Sequence, residues 1–165
     1  MKVLIVHASR YGSTAEVAEQ IGDVLRERGH DVVVWAARET PSPRNYDAVV
    51  AGSAIYGGHV LGDLQRYFAK YKDELASKRL ALFAVAGNLH ADADGHKRQV
   101  EEALRPLAPG VPCVARTAFA GVVDLRRMHW PTRLLMRLSK AESGDYRKWN
   151  EIRSWASDLS KRLEE

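Results

Sequence analysis

The chain has 165 residues, a formal net charge of +4 and one cysteine, Cys113. This length is typical of a single domain with a sizeable core, and one cysteine excludes both an intrachain disulfide and a thiol-rich metal site. No apolar stretch reaches the roughly 20 residues of a membrane-spanning helix, and the amino terminus begins with a strand pattern instead of a cleavable leader. We therefore expect a cytoplasmic protein, either free or peripheral on the inner face of the cell membrane.

Strand and helix patterns alternate along the chain. The first strand, at about 2–7, is apolar throughout, which indicates a strand covered on both faces of a parallel sheet. A helix at about 14–28 follows, in which Ser13 and Glu16 have the spacing of a capping box and Gly29 supplies the end. The other predicted strands are 31–36, 48–51, 80–86 and 112–119, and the other helices are 61–71, 95–107 and 146–163. This alternation predicts a doubly wound α/β domain.

The loop after the first strand is rich in small and hydroxyl-bearing residues. It comprises Ser9, Arg10, Tyr11, Gly12, Ser13 and Thr14. Backbone N–H groups at the start of the following helix suit a phosphate, although an ordinary capped turn is the alternative. The loop lacks the Lys of a nucleoside triphosphate site and the glycines and acidic residue of a dinucleotide fingerprint, which disfavours ATP and resident NAD. The pattern resembles the phosphate loop of flavodoxins, which implies FMN.

Two further glycine-bearing loops follow the third and fourth predicted strands. The expected cofactor contacts in them are Ala54, Ile55, Tyr56, Gly57 and Gly58, and then Gly87, Asn88 and Leu89. Ligands of open parallel sheets bind beyond the carboxyl ends of the strands, so we expect these loops to meet the phosphate loop. We predict that Tyr56 stacks on the flavin ring and that the two adjacent glycines let the backbone approach it. Alternatively, Tyr56 is an ordinary aromatic side chain at a loop tip.

Two loop histidines, His59 and His90, are candidates for proton transfer to a reduced flavin, since imidazole titrates near neutral pH. A loop histidine that faces water is the commoner case. The residues Asp92, Asp94 and His96 alternate before a predicted helix in a pattern that mimics a metal cluster. Acidic residues in this position are more often caps and dipole partners, so we predict no metal.

Basic residues are concentrated in the last third of the chain. Residues 121–140 include five Arg or Lys and one Asp. After Pro131, the basic and the leucine side chains fall on opposite sides of a predicted helix. The segment 125–140 is too short to span a bilayer, and we predict that it lies at an anionic membrane surface. The alternative is a helix packed on its own domain; without an aromatic stacking series, nucleic acid is not expected as a partner.

Together these motifs resemble the short, flavodoxin-like, quinone-dependent protoporphyrinogen IX dehydrogenases of bacterial haem synthesis. The resemblance includes the phosphate loop, residues 52–59, Asn88-Leu89, residues 133–140, residues 142–145 and the last helix with Trp149 and Trp155. It is most specific in the basic and apolar insertion that is followed by Gly144-Asp145. It implies one flavodoxin-like domain over residues 1–165. The implied fold is a five-stranded parallel sheet in the order 2-1-3-4-5 with an insertion at about 121–145.

The resemblance also implies an activity. One FMN would mediate three successive two-electron oxidations of a porphyrinogen and would pass the electrons to a membrane quinone. Arg126 and Arg127 are candidates for binding the substrate propionates, which guanidinium groups bind bidentately. Residues 90–94 are acidic where the family has a longer basic loop, so another small-molecule reductant stays open. Two alternatives are a flavodoxin-like quinone reductase or electron-transfer protein with another donor, and a noncatalytic adaptor of the same fold.

Overall fold

A parallel five-stranded sheet forms the centre of the computed structural model, which describes residues 1–90, 94–126, 131, 133, 134 and 143–165, with the backbone alone at 88, 90 and 94–96. The strands are β1 (Lys2–Ala8), β2 (Asp31–Ala36), β3 (Ala48–Tyr56), β5 (Arg79–Ala86) and β6 (Cys113–Ala120), in the spatial order β2-β1-β3-β5-β6. A two-residue strand, β4 (His59–Val60), pairs antiparallel with the end of β3. The short strand β4 was not predicted. Without it, β5 and β6 are the fourth and fifth strands, so the arrangement confirms the predicted order 2-1-3-4-5.

Helices cover both faces of the sheet. They are α1 (Ser13–Glu27), α2 (Gly62–Lys70), the short α3 (Lys72–Leu75), α4 (Asp94–Glu102) and a C-terminal helix (Trp149–Glu164). On β1, Val3 and Ile5 belong to the core beneath α1 and the C-terminal helix, and Leu4 and Val6 belong to the core beneath α2 and α4. An apolar strand with alternate side chains in two cores confirms that β1 is covered on both faces.

The third strand is longer than predicted. Residues 52–54 continue in parallel register with residues 83–85 of β5, and the last two residues pair with β4. The predicted loop at 52–59 therefore reduces to a two-residue turn, Gly57-Gly58, in which both φ angles are positive, 57° and 80°. This is the type I′ geometry that two-residue hairpins prefer. Hydrogen-bonding partners on β5, which the local residue pattern does not indicate, extend the strand.

Three other predictions differ from the structure. The C-terminal helix, predicted from 146, begins at Trp149. The helix predicted at 95–107 ends at Glu102, and a separate 3-10 turn, Arg105–Leu107, contains Pro106, which cannot donate a helical backbone hydrogen bond. Residues 121–140, for which we predict no strand, begin with β7 (Val122–Val123), which pairs antiparallel with β8 (Gly144–Asp145). This small second sheet joins the two ends of the insertion. Its two strands are therefore about 20 residues apart in sequence, although they are close in space.

Most of the predicted basic amphipathic segment, 125–140, lies outside the described residues. Within it, residues 131, 133 and 134 are helical, and the Leu134 side chain is exposed. No helix in the described part of the chain is both long enough and apolar enough to cross a membrane. The contact of this segment with an anionic membrane surface stays a prediction.

His30 packs between the start of β2 and the C-terminal helix. Its buried Nε2 lies 2.8 Å from Ser160 Oγ and 3.5 Å from a Glu164 carboxylate oxygen. Burial lowers the pKa of His30 below the usual value of 6.5. The unfolded chain therefore binds a proton more readily than the folded protein does, and stability decreases as the pH falls from the unfolded-state pKa through the folded-state pKa.

We expect the urea midpoint of unfolding to decrease between about pH 7.5 and about pH 5.5, and to decrease less in His30→Gln. His59→Gln is the control, because His59 is exposed. Burial also lowers the pKa of His7, so part of the dependence should persist in the His30 variant. A His30→Gln protein that keeps the full wild-type pH dependence would contradict the assignment.

Candidate functional site

The three predicted loops meet around a cavity of about 510 Å³ at the carboxyl edge of the sheet. The lining residues from the loops are Tyr11, Ser13, Ala54, Ile55, Tyr56, Gly57, Gly58 and Gly87. The far side of the cavity, which the sequence analysis missed, is formed by residues 121–124 together with Asp145 and Arg147. The position at the ends of β1, β3 and β5 is the one that open parallel sheets use for ligands.

The phosphate loop is held by its own backbone and by one hydroxyl. Gly12 N donates a hydrogen bond to Ser9 Oγ at 3.0 Å, and Gly12, with a φ of 96°, is the N-cap of α1. The predicted capping box is wrong, because Ser13 is already helical and the Glu16 carboxylate bonds to Arg147 instead. In the described chain no side chain caps α1, so its first-turn N–H groups suit an anionic ligand.

Thr14, in the first turn of α1, provides a direct test of whether a phosphate fits. The residue is 0% exposed, and its Oγ1 atom has no hydrogen-bond partner among the described residues. Leaving a buried hydroxyl unpaired costs about 1–3 kcal/mol. A phosphate at this helix terminus would satisfy the hydroxyl, so the loop fits the group that the sequence pattern implies.

Tyr56 lies at the end of β3 beside the loop. Its ring meets the Tyr11 ring edge to face, with centroids 6.4 Å apart, and the Arg10 guanidinium carbon is 5.0 Å from the Tyr56 centroid. Burial raises the pKa of Tyr56, so the phenol is protonated at neutral pH. Contact of this ring with a flavin stays a prediction.

Ser53 fixes the hairpin that presents Tyr56, and the sequence analysis did not single it out. Its fully buried hydroxyl donates to the Ala54 carbonyl oxygen at 2.8 Å and accepts a hydrogen bond from Leu61 N at 2.9 Å. These bonds tie the end of β3 to the residue that precedes α2. A lone serine in an otherwise apolar strand is the only local signal for this role.

The remaining predicted residues occupy the third loop and the turn. A Cβ atom on Gly87 would lie 2.8 Å from a methyl carbon of Val123, so this glycine permits β7 to pack against the end of β5. Leu89 is half-buried against the core. His59 is exposed and pairs with Tyr56 in the hairpin. The side chains of Asn88 and His90 lie outside the described part, as do Asp92 and the side chains of Asp94 and His96.

Arg147 forms a network of charge-assisted hydrogen bonds at the cavity. Its guanidinium donates to both carboxylate oxygens of Asp145, at 2.9 and 2.6 Å, and to Glu16 Oε2 at 2.6 Å, and it stacks 4.5 Å from the Trp149 ring centroid. These hydrogen bonds raise the pKa of Arg147 and lower that of Asp145. The network joins β8 to α1. Because Glu16 and Arg147 are 131 residues apart in sequence, local patterns could not reveal it.

We expect Arg147→Gln to lower the free energy of unfolding by about 1 to 2 kcal/mol. The Arg147 side chain is only 9% exposed, but Asp145 and Glu16 are 47% and 62% exposed, so water can solvate the two carboxylates that the variant leaves. Urea denaturation measures the change. Lys148→Gln removes an adjacent exposed charge that pairs with Glu151, and it should have almost no effect; equal losses in the two variants would refute the role of Arg147.

The fold and cavity define a doubly wound α/β protein with a ligand site across the ends of β1, β3 and β5. The family model described as "Flavodoxin domain" matches residues 4–150, so the chain belongs to the flavodoxin domain family. Membership indicates a flavin, FMN, as the cofactor, in agreement with the fit of the phosphate loop. The family therefore supports an FMN-type oxidoreductase.

Individual relatives agree with this assignment. The chain is 27% identical over 181 aligned positions to a protein of Escherichia coli strain K12 named "Protoporphyrinogen IX dehydrogenase [quinone]", covering 97% of this chain and 95% of that protein. A flavodoxin of Streptococcus pneumoniae TIGR4 superimposes with a TM-score of 0.63 at 17% identity, with 99% and 98% of the two chains covered. An archaeal flavodoxin gives a TM-score of 0.60 at 18% identity with 100% of both chains covered. These structures support the predicted flavodoxin-like fold.

Proposed function

We propose that this protein oxidises protoporphyrinogen IX to protoporphyrin IX and passes the electrons to a quinone. The observation that supports the proposal most is the similarity to a protein named for this reaction over 97% of the chain. Each of the three successive oxidations removes two electrons and two protons from the porphyrinogen, and a quinone takes up the same number to become a quinol. The segment 125–140, basic and apolar in sequence, would bring the protein to the membrane in which the quinone resides.

In this proposal, the protein residues position the cofactor and admit two substrates in turn. FMN supplies the two-electron chemistry when it is bound. Ser13, Thr14 and the first-turn amides of α1 would hold its phosphate, and Tyr56 and the Gly57-Gly58 backbone would contact its ring. Ser53 fixes the hairpin through the two hydrogen bonds described above. His59 and His90 stay candidates for proton transfer.

Arg126 is proposed to bind a substrate propionate together with Arg127, which lies outside the described residues. Arg126 is exposed, and its backbone N–H donates to Asp124 Oδ1 at 2.9 Å. Asp124 itself lines the cavity. The Arg126 backbone is therefore fixed near the cavity, while its side chain is accessible to an anionic group.

We expect Arg126→Ala/Arg127→Ala to raise the KM for the porphyrinogen by about tenfold or more, because charge-assisted hydrogen bonds are lost. FMN affinity should not change. Arg44→Ala/Arg105→Ala is the matched control, since it removes two exposed arginines that do not line the cavity. If the Arg126/Arg127 variant loses its flavin, or behaves as the control does, the assignment is wrong.

A second function is favoured by the charge of the cavity. Among the described residues, Glu16, Asp124 and Asp145 line it together with one guanidinium, that of Arg147, and an acidic lining does not favour a dianionic porphyrin. The alternative is a flavodoxin-like quinone reductase or electron-transfer protein that uses another, uncharged or cationic donor.

Anaerobic incubation with porphyrinogen and a menaquinone analogue should produce porphyrin fluorescence under the first proposal. Quinone reduction with an uncharged or cationic reductant, without porphyrin formation, would support the alternative.

The purified protein should be yellow and should release FMN on denaturation. This test precedes the others, because both oxidoreductase proposals require the flavin. A protein that stays colourless after FMN is added would exclude them and would support a noncatalytic adaptor of the same fold.

A further inference from the structure

A second cavity, of about 560 Å³, lies on the other side of the phosphate loop. Ser9 and Arg10 line it from the loop, residues 36–39 line it from the end of β2, and residues 61–63 and Arg66 line it from the start of α2. The flavin cavity is lined instead by Tyr11 and Ser13 of the same loop. The phosphate loop therefore separates two cavities, and the proposed flavin contacts account for only one of them.

Two arginines in the second cavity share one carboxylate. Arg38 Nε donates to Asp63 Oδ2 at 2.5 Å, and an Arg66 N–H donates to Asp63 Oδ1. The Asp63 side chain is 16% exposed, whereas the side chains of Arg38 and Arg66 are 78% and 74% exposed. Each arginine is anchored by one hydrogen bond to Asp63. Since a guanidinium has five N–H donors, each arginine retains donors for a ligand.

Two further features favour an anion in this cavity. Arg10 adds a third guanidinium, and it also stacks on Tyr56 of the flavin cavity. The nine-residue helix α2 begins at Gly62, and no described side chain caps it. The start of α2 lines the cavity, so its first N–H groups are available to an anion there. Against the three arginines stand two carboxylates, Glu39 and Asp63.

We propose that this cavity is a second oxyanion site that binds the phosphate group of a phosphate ester, separately from the flavin phosphate. Guanidinium groups from three chain segments and a helix amino terminus match the charge and the bidentate geometry of a phosphate. Two sources have this chemistry. One is the second phosphate of a flavin dinucleotide that continues past Ser9, and the other is a free phosphate monoester.

Calorimetric titration of the FMN-loaded protein tests the site, because FMN blocks the first phosphate loop. The probes are inorganic phosphate and AMP. We expect saturable binding of at least one probe, weakened about tenfold or more in Arg38→Gln/Arg66→Gln. Arg44→Gln/Arg105→Gln, which removes two exposed, ion-paired arginines elsewhere, should bind as the wild type does. Equal affinity in the two double variants would overturn the proposal.

A comparison of FAD with FMN on the flavin-free protein distinguishes the two sources. If the site serves a dinucleotide, FAD should bind about tenfold more tightly than FMN, and Arg38→Gln/Arg66→Gln should abolish this difference while FMN affinity is unchanged. If the site serves a free ester, FAD gains no affinity and AMP binds the FMN-loaded protein. Absence of probe binding together with equal FAD and FMN affinities would exclude both sources. These readouts are independent of the proposed reaction with porphyrinogen.

Discussion

Gly52→Ala should lower the free energy of unfolding by about 3 kcal/mol, although it adds a single methyl group. A Cβ atom at Gly52 would lie 2.0 Å from Cζ of Phe83 and 2.3 Å from both of its Cε atoms. Phe83 is fully buried and packs against Phe119 and Trp155, with ring centroids 6.4 Å away in each case. The ring has no space to move into, because protein interiors are close-packed. Urea denaturation of the flavin-free protein measures the loss.

A double-mutant cycle with Phe83→Leu isolates the cause. Leucine lacks the three ring atoms that crowd Gly52, so Gly52→Ala should cost much less in the Phe83→Leu background than in the wild type. Phe83→Leu alone should destabilise the protein, because it leaves a cavity beside Phe119 and Trp155. If the two losses of unfolding free energy are additive, the glycine is required for another reason, such as the backbone path of β3.

Thr14→Val should change stability and FMN affinity in opposite directions. In the flavin-free protein the variant removes a buried hydroxyl whose Oγ1 has no partner in the described chain, and we expect a gain of about 1 kcal/mol in unfolding free energy. FMN binding should weaken by about 10-fold to 100-fold, because a charge-assisted hydrogen bond to the phosphate is lost. Urea denaturation and fluorescence titration with FMN measure the two effects.

Thr40→Val is the matched control for Thr14. The Thr40 hydroxyl is also buried, but it donates to the Ala36 carbonyl oxygen at 2.7 Å. Its removal should therefore destabilise the protein by about 1 kcal/mol and leave FMN affinity unchanged. A Thr14→Val protein that binds FMN as tightly as the wild type would remove Thr14 from the proposed phosphate site.

The part of the candidate site that was predictable from the sequence consists of loops, and each loop is a short stretch that follows a predicted strand. The phosphate loop, Tyr56 and the Gly57-Gly58 pair follow apolar strands, and the carboxyl ends of parallel strands share one edge, so their meeting follows from alternation alone. The sequence did not reveal the roles of Ser53 and Arg147, because each residue depends on a hydrogen-bond partner in another element. The capping box failed for the same reason, since the distant Arg147 competes for Glu16.

The sequence by itself determined the five parallel strands and the main helices in chain order, the covering of β1 on both faces and the position of the loop proposed to hold the phosphate, because hydrophobic periodicity and turn residues act over a few positions. Only the tertiary structure decided how far β3 extends, which groups line the far side of the flavin cavity and how three arginines surround a second cavity. These features depend on pairing between residues such as Gly52 and Phe83, or Arg38 and Asp63. These residues are far apart along the chain, and they come into contact only when the sheet and its helices pack.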